Sequence, residues 1–253
     1  MIRIKGDVKR SNKVVLRDVD LNISSNKITA VIGRNGSGKS SLLYALLGSV
    51  QMDFYEVDGF KRFGYVGNEL PFNLSLMGID VIDLMKTLEC SFDEDVFRYF
   101  LKSFNINVSH RLGAYSKGEA KYFMLALALA RDVDVLILDE INVNIDQLKK
   151  ESFKEYLRYF SDKTVVLATN QLDVFADIVD DVIYLKNENV FYAGSLYDLQ
   201  CNFMVVSDAK EYMYKEDNAF GSMYLVKQKH EGDGDLIQLL QFMERSDYEK
   251  ICI

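Results

Sequence analysis

Between an apolar run at residues 28–32 and a second apolar stretch, Leu42-Leu43-Tyr44-Ala45-Leu46-Leu47, the chain reads Gly33-Arg34-Asn35-Gly36-Ser37-Gly38-Lys39-Ser40-Ser41. Strand, glycine loop and helix in that order confine the fold to the α/β class, because the loop must leave a buried strand sharply and deliver the chain into a helix. The spacing G-x-x-x-x-G-K-[ST] also has a chemical meaning. Glycines let backbone N–H groups close around a phosphate, Lys39 reaches its outer oxygens and the Ser40 hydroxyl suits Mg²⁺. A helix starting at the loop turns the positive end of its dipole toward the same anion.

Around that loop, strand and helix patterns alternate. Residues 2–23 read as two strands with a turn at Ser11-Asn12-Lys13, and residues 57–66 as a further strand region. Apart from Asp134 and Thr164, residues 133–138 and 164–168 are apolar, as strands buried on both faces of a parallel sheet should be. From the single proline, Pro71, to about residue 112 the period changes to 3.6. Val81, Leu84, Met85 and Leu88 then share one helical face, and Val96, Phe97, Phe100, Leu101 and Phe104 the next. Helices are expected at residues 117–131, 147–160 and 172–178, and a hairpin at 182–192 closing on Gly194. The expected architecture is α/β, with a mostly parallel core sheet, an N-terminal antiparallel β subdomain and a helical insert at about 71–131. Residues 1–200 form the main domain, and residues 201–253, with one weaker strand and an acidic helix at 236–244, a small C-terminal extension.

Composition excludes several function classes. Lys and Arg number 30 against 38 Asp and Glu, for a formal net charge of −8. No basic stripe is available to displace counterions from nucleic acid, so no nucleic-acid partner is expected. Positive potential has to be made locally, by Lys39, a helix terminus or a metal ion. Cys90, Cys201 and Cys252 are too scattered for a disulfide framework, and neither they nor His110 and His230 have zinc-site spacing, which fits a reducing compartment. Residues 1–20 alternate charge and apolar character, unlike a signal peptide. The longest helical apolar stretch, residues 122–130, is far short of the roughly 20 residues that cross a bilayer. Any membrane role is therefore expected to come through a partner.

Val135-Leu136-Ile137-Leu138-Asp139-Glu140 is an apolar strand ending in two carboxylates. Ligands of open α/β sheets gather at the carboxyl ends of strands. Asp139 there suits Mg²⁺ through a water, and Glu140 suits the water that attacks a γ-phosphate. Acidic residues also cap buried strands without doing chemistry, and it is the phosphate loop that tilts this pair toward function. Upstream, Tyr115-Ser116-Lys117-Gly118-Glu119 opens a helix. A hydroxyl and a glycine at a helix N-terminus make either a simple N-cap or a second anion site.

With these motifs in this order, the chain resembles the ATP-binding cassette family, the nucleotide-binding subunits of ABC transporters, over about residues 2–199. The resemblance implies a P-loop NTPase fold, ATP and Mg²⁺ as ligands, ATP hydrolysis and a sandwich of two cassettes, as homodimer or heterodimer. Residues 33–41 then bind ATP, while Ser116, Gly118 and Glu119 belong to a signature loop that holds the γ-phosphate of ATP bound by the other cassette. Asp146 falls on the D-loop aspartate, which communicates across the dimer. Asn68 falls near the Q-loop and becomes a Mg²⁺ ligand with Ser40 and Asp139, with Glu69 as the alternative. An integral membrane transporter subunit is expected to dock on residues 70–85, where Phe72, Leu74, Leu76 and Met77 are apolar, and to hold the chain at the cytoplasmic face of the cell membrane. Ser116-Lys117-Gly118 is more similar to exporter cassettes than to importer cassettes, which usually carry two glycines here.

Several positions depart from the family pattern. Asn170, in Ala168-Thr169-Asn170, stands where the family has a histidine that touches the γ-phosphate and the attacking water. An amide donates a hydrogen bond but carries no charge. Outright loss of one transition-state donor costs on the order of 10² to 10³ in rate, so a substituted donor implies slow hydrolysis. Arg10 falls where an aromatic residue normally stacks on adenine, and a guanidinium plane also stacks on a base. Asn142-Val143-Asn144 replaces the small residues usual before the D-loop. A second reading, a regulatory ATP-binding half-site of a heterodimeric transporter with little hydrolysis, draws on Asn170 and Asn68. Glu140 opposes it, because a retired site has no need of its base.

Overall fold

The computed structural model describes residues 1–11, 13–67, 69–88, 91–140, 147–160, 162–206, 214–218, 221–227 and 236–245. They fall into two units, one made of Met1–Ile2, Ser24–Lys27 and Val57–Thr169, the other of Arg3–Ile23, Ile28–Glu56 and Asn170–Ile253.

The second unit carries the glycine loop. Most of β1 (Ile2–Arg10), β2 (Lys13–Ile23) and β4 (Phe54–Val57) lies here, in an N-terminal antiparallel sheet ordered β2-β1-β4. β3 (Ile28–Ile32) is buried at all five positions, as a run apolar but for Thr29 requires. It pairs in parallel with β8 (Asp181–Lys186), which places Ile32 opposite Tyr184, and β9 (Asn189–Ser195) returns antiparallel to β8. α1 (Lys39–Leu46) follows the loop, α6 (Leu172–Phe175) is a single turn, and α7 (Leu196–Asn202) leads to the tail. There, β10 (Phe203–Val206), β11 (Tyr214–Asn218) and β12 (Gly221–Lys227) form a sheet ordered β10-β12-β11, followed by α8 (Leu236–Arg245). Leu236, Leu239, Phe242 and Met243 give α8 its buried face.

In the first unit β5 (Phe63–Val66), β6 (Val135–Asp139) and β7 (Thr164–Thr169) are parallel in the order β5-β6-β7. The helical insert consists of α2 (Gly78–Leu88), α3 (Glu94–Ser103), a 3₁₀ turn at Leu112–Ala114 and α4 (Lys117–Leu129), with α5 (Gln147–Tyr159) between β6 and β7. α3 starts where the Asp93 side chain accepts the Val96 N–H and buries Phe97, Phe100 and Leu101 at helical spacing. Its aromatic face meets α4 edge to face through Phe97 and Phe123, centroids 5.5 Å apart, while Phe104 stacks on Tyr122 at 4.4 Å.

Four expectations change. The single strand region at residues 57–66 is two strands, because Asp134 Oδ2 accepts the N–H groups of Lys61 at 2.8 Å and Arg62 at 2.9 Å and so takes them out of any ladder. The buried face of α2 is Val81, Ile82 and Met85, while Leu84 and Leu88 are 39% and 67% exposed. The helix expected at residues 172–178 is only Leu172–Phe175. The described residues of the tail form three strands in place of one, and alternation too weak to mark β10 and β11 is compensated by pairing on both sides of β12.

Candidate nucleotide site

The loop leaves β3 through Gly33, whose φ of +149° and surroundings both demand glycine: a Cβ there would lie 2.5 Å from the Leu185 carbonyl oxygen and 2.6 Å from Ser37 Oγ. Gly38, at φ +101°, caps α1 without a side chain, and the first turn of α1 contains no acidic residue. The opening N–H groups of the helix are thus left to an outside acceptor, at the positive end of the dipole. Lys39 is buried, and its Nζ donates to the carbonyls of Gly33 at 2.9 Å and Arg34 at 3.1 Å, folding the ammonium back over the loop. Ser37 Oγ is buried with no hydrogen-bond partner among the described residues. A buried orphan hydroxyl in a glycine loop that opens a helix suits a phosphate oxygen.

Asn170 is exposed and shares a cavity of about 520 Å³ with Gly33, Arg34, Asn35 and Tyr184. Leu240 and Glu244 of α8 border the same cavity. Arg34 Nε donates to Glu244 Oε1 at 2.8 Å, and Lys186 Nζ to the Met243 carbonyl at 2.7 Å, so the end of α8 rests on the start of the loop. Burial first, and the Glu244 carboxylate next, push the Tyr184 phenol up to about 12, which keeps its hydroxyl neutral beside the loop. Arg10 sits in this unit too, its guanidinium carbon 5.8 Å from the ring centroid of Tyr44 on α1.

In the first unit, β6 delivers Asp139 almost fully buried, with the Tyr65 hydroxyl of β5 3.4 Å from its Oδ2. Glu140 then turns into the left-handed region at φ +51°. Its N–H donates to the Ala168 carbonyl of β7 at 3.1 Å, and its carbonyl accepts from Lys121 Nζ. Lys121 projects from α4 and is partly buried. Desolvation draws its ammonium pKa down, against the opposing pull of the Glu140 and Asp139 carboxylates.

At the head of α4, Ser116 is the N-cap: its hydroxyl accepts the Glu119 N–H at 3.2 Å, while its own N–H donates to Glu119 Oε2 at 2.8 Å. The cap that the sequence allows is therefore present. Gly118, however, has no need to be glycine for the sake of this chain. A Cβ there would meet nothing nearer than Ser116 Oγ at 4.0 Å, and its φ is not positive.

Of the residues singled out from sequence, Gly33, Arg34, Asn35 and Asn170 line one cavity, and Gly36 and Ser37 line an adjoining one of about 280 Å³. Arg10 lines neither. Asp139 ends β6 and Glu140 follows it, and Ser116, Gly118 and Glu119 open α4, the helix whose Lys121 holds the Glu140 carbonyl. Asn68, Asp146 and residues 142–144 lie outside the described residues. Sequence reasoning missed Lys121 and Glu244. The first leaves a trace, a lone cation entering the apolar run of α4. The second leaves none, since it meets Arg34 across 210 residues.

Comparison with known proteins agrees with this geometry. A family model described as ABC transporter matches residues 16–143. The ABC transporter ATP-binding protein YthP of Bacillus subtilis is 28% identical over 200 residues, covering 75% of this chain and 84% of that protein. The zinc import ATP-binding protein ZnuC of Buchnera aphidicola is 28% identical over 190 residues, 71% of this chain and 78% of that protein. Among solved structures, a dimeric ATP-binding cassette in a post-hydrolysis state, bound to ADP and Pi, has a TM-score of 0.66 at 20% identity, over 78% of this chain and 99% of that one, a likeness of fold. Because the relatives include an importer, the exporter character expected from Ser116-Lys117-Gly118 is not borne out. The family match spans just over half of the 253 residues, and the chain belongs to the ABC transporter family, among its ATP-binding cassettes.

Proposed function

We propose that this chain hydrolyses ATP while paired with a second cassette around the nucleotide, and that the pairing drives an integral membrane transporter subunit. The observation that carries the proposal is the phosphate loop, where the uncapped start of α1, Lys39 and the orphaned Ser37 hydroxyl suit a triphosphate. In this reading Lys39 exchanges the loop carbonyls for phosphate oxygens, and the amides of residues 33–41 hold the rest. Ser40 and Asp139 offer the oxygen donors that Mg²⁺ prefers, with Asn68 or Glu69 as a further ligand. Mg²⁺, when bound, offsets negative charge on the phosphates. Glu140 orients the attacking water and takes its proton as the water oxygen bonds to the γ-phosphorus and the bond to ADP breaks. Asn170 donates to the γ-phosphate without the charge of a histidine, which makes turnover slow. Ser116 and Gly118 serve the ATP of the opposite cassette, with Glu119 holding the cap in shape and Asp146 acting across the dimer. Arg10 lies over the base.

A surface for the membrane subunit lies in the insert. Leu74 and Met77 are 55% and 39% exposed, yet their segment is pinned by the N–H groups of Leu112, 2.8 Å from the Leu76 carbonyl, and Gly113, 2.9 Å from that of Leu74. Leu84 and Leu88 extend the apolar exposure along α2. An ordered apolar patch of this kind suits a helix from a partner. No helix among the described residues is long and apolar enough to cross a membrane, so that partner places the chain at the cytoplasmic face. Residues 201–253 are an extension to the cassette in this reading. Export and import are told apart by the membrane subunit that copurifies.

The test is direct. Purified protein with ATP and Mg²⁺ is expected to release phosphate, and Lys39→Ala to weaken ATP binding by about 10²-fold or more. Unchanged ATP affinity in Lys39→Ala contradicts the proposal.

A further inference from the structure

We propose that Lys121 is the positioning residue for Glu140, and that through it α4 ties the end of the cassette that meets the partner's ATP to the base of its own site. The proposal rests on the roles just given to Glu140 and Ser116. Glu140 occupies the left-handed region at φ +51°, which a residue with a Cβ keeps only when its neighbours hold it from several sides. Two neighbours do so here. The Ala168 carbonyl takes the Glu140 N–H at 3.1 Å, and the Lys121 ammonium donates to the Glu140 carbonyl. Together these bonds fix the peptide planes on both sides of the Glu140 Cα, and therefore the direction in which its Cβ and carboxylate leave the chain. The second is charge-assisted and the stronger in kind.

Without Lys121 that carbonyl loses a charge-assisted donor, its hold on the Glu140 backbone weakens, and the carboxylate moves from its mark. Lys121 is carried by a helix anchored in the core, since Tyr122, Phe123, Leu125 and Ala126 of α4 are buried. The head of the same helix is closed by the reciprocal bonds of Ser116 and Glu119, so Ser116 and Lys121, five residues apart, move as one body. A phosphate of the partner's ATP pulling on the start of α4 is then felt at the Glu140 carbonyl, and each site senses occupancy of the other.

The experiment uses the full-length protein and measures steady-state ATP hydrolysis with Mg²⁺ for the wild type, Lys121→Met and Lys121→Arg. Lys121→Met is expected to lower kcat by about 10- to 10²-fold, the scale of a misplaced catalytic group, with KM for ATP changed less than about twofold. Lys121→Arg, which keeps a cationic donor, is expected to recover most of kcat. The Hill coefficient for ATP is expected to fall from about 2 in the wild type toward 1 in Lys121→Met. Wild-type kcat in Lys121→Met overturns the positioning role, as does equal loss in the Met and Arg variants with KM raised alike. An unchanged Hill coefficient overturns the link between sites. If Lys121→Met does not fold, Lys121→Gln is compared with Lys121→Arg on the same criteria. A wild type that neither hydrolyses ATP nor gains mass with it defeats the proposed function and this inference together, whereas an active wild type with an indifferent Lys121 defeats the inference alone.

Discussion

The phosphate loop takes its functional groups from nine consecutive residues, 33–41, whereas the end of β6 draws on four elements: Tyr65 from β5, Ala168 from β7, Lys121 from α4 and the two carboxylates themselves. In the loop, backbone conformation is dictated by where glycine stands, and the donors come from the backbone or from a lysine six residues past Gly33. At β6 the sequence supplies only the acids. Their geometry is imposed from 19 to 74 residues away, by Lys121 and Tyr65. A site of the first kind breaks when its own backbone is changed, and a site of the second kind when a distant support is removed.

That contrast is open to attack at several points. The largest effect is expected from Gly33→Ala, whose Cβ would collide with the Leu185 carbonyl at 2.5 Å. Strain of this sort costs on the order of 1–3 kcal/mol, and at about 2–4 °C per kcal/mol for a chain of this size a thermal melt should show a clear fall together with loss of ATP binding. A Gly33→Ala variant that melts and binds as the wild type does would mean that the loop is not dictated by its glycines. A smaller effect, of opposite sign, is expected from Asn170→His. Restoring a donor that can carry charge should raise kcat by about 10-fold, less than the 10² to 10³ attached to outright loss of one transition-state donor. Equal or lower turnover by phosphate release would contradict the proposal that Asn170 slows hydrolysis. The smallest is expected from Glu244→Gln, which breaks an ion pair whose partners are 68% and 47% exposed. Such pairs contribute about 0–1 kcal/mol, so denaturant midpoint and ATP affinity should both stay close to the wild type. A many-fold gain in ATP affinity would instead make α8 part of the loop's machinery.

What was legible in the sequence follows the same division. The runs of β3, β6 and β7 and the face of α3 could be read because burial on both faces of a strand leaves a near-continuous apolar run, and burial on one face of a helix a local period. The loop could be read because phosphate chemistry needs its glycines at set intervals. Leu84 and Leu88 share an apolar face with Val81 and Met85 by periodicity yet lie exposed, because periodicity counts apolar residues without knowing which part of α2 meets the core. Asp134, a capping acid for two amides more than 70 residues earlier, split a strand that local pattern had joined. Lys121 and Glu244 act only through contacts the fold creates, so the residues that would tune the site were harder to see than those that would bind its ligand.

The central claim is that the ATP site is completed by a second cassette, and the mass of Glu140→Gln in solution with ATP and Mg²⁺ tests it most directly. With the base removed and every binding group intact, the protein should be trapped at twice its 29.0 kDa, returning to one when Ser116→Arg is added. A protein that binds ATP tightly yet stays at 29.0 kDa, alone and with its copurifying partners, would contradict it.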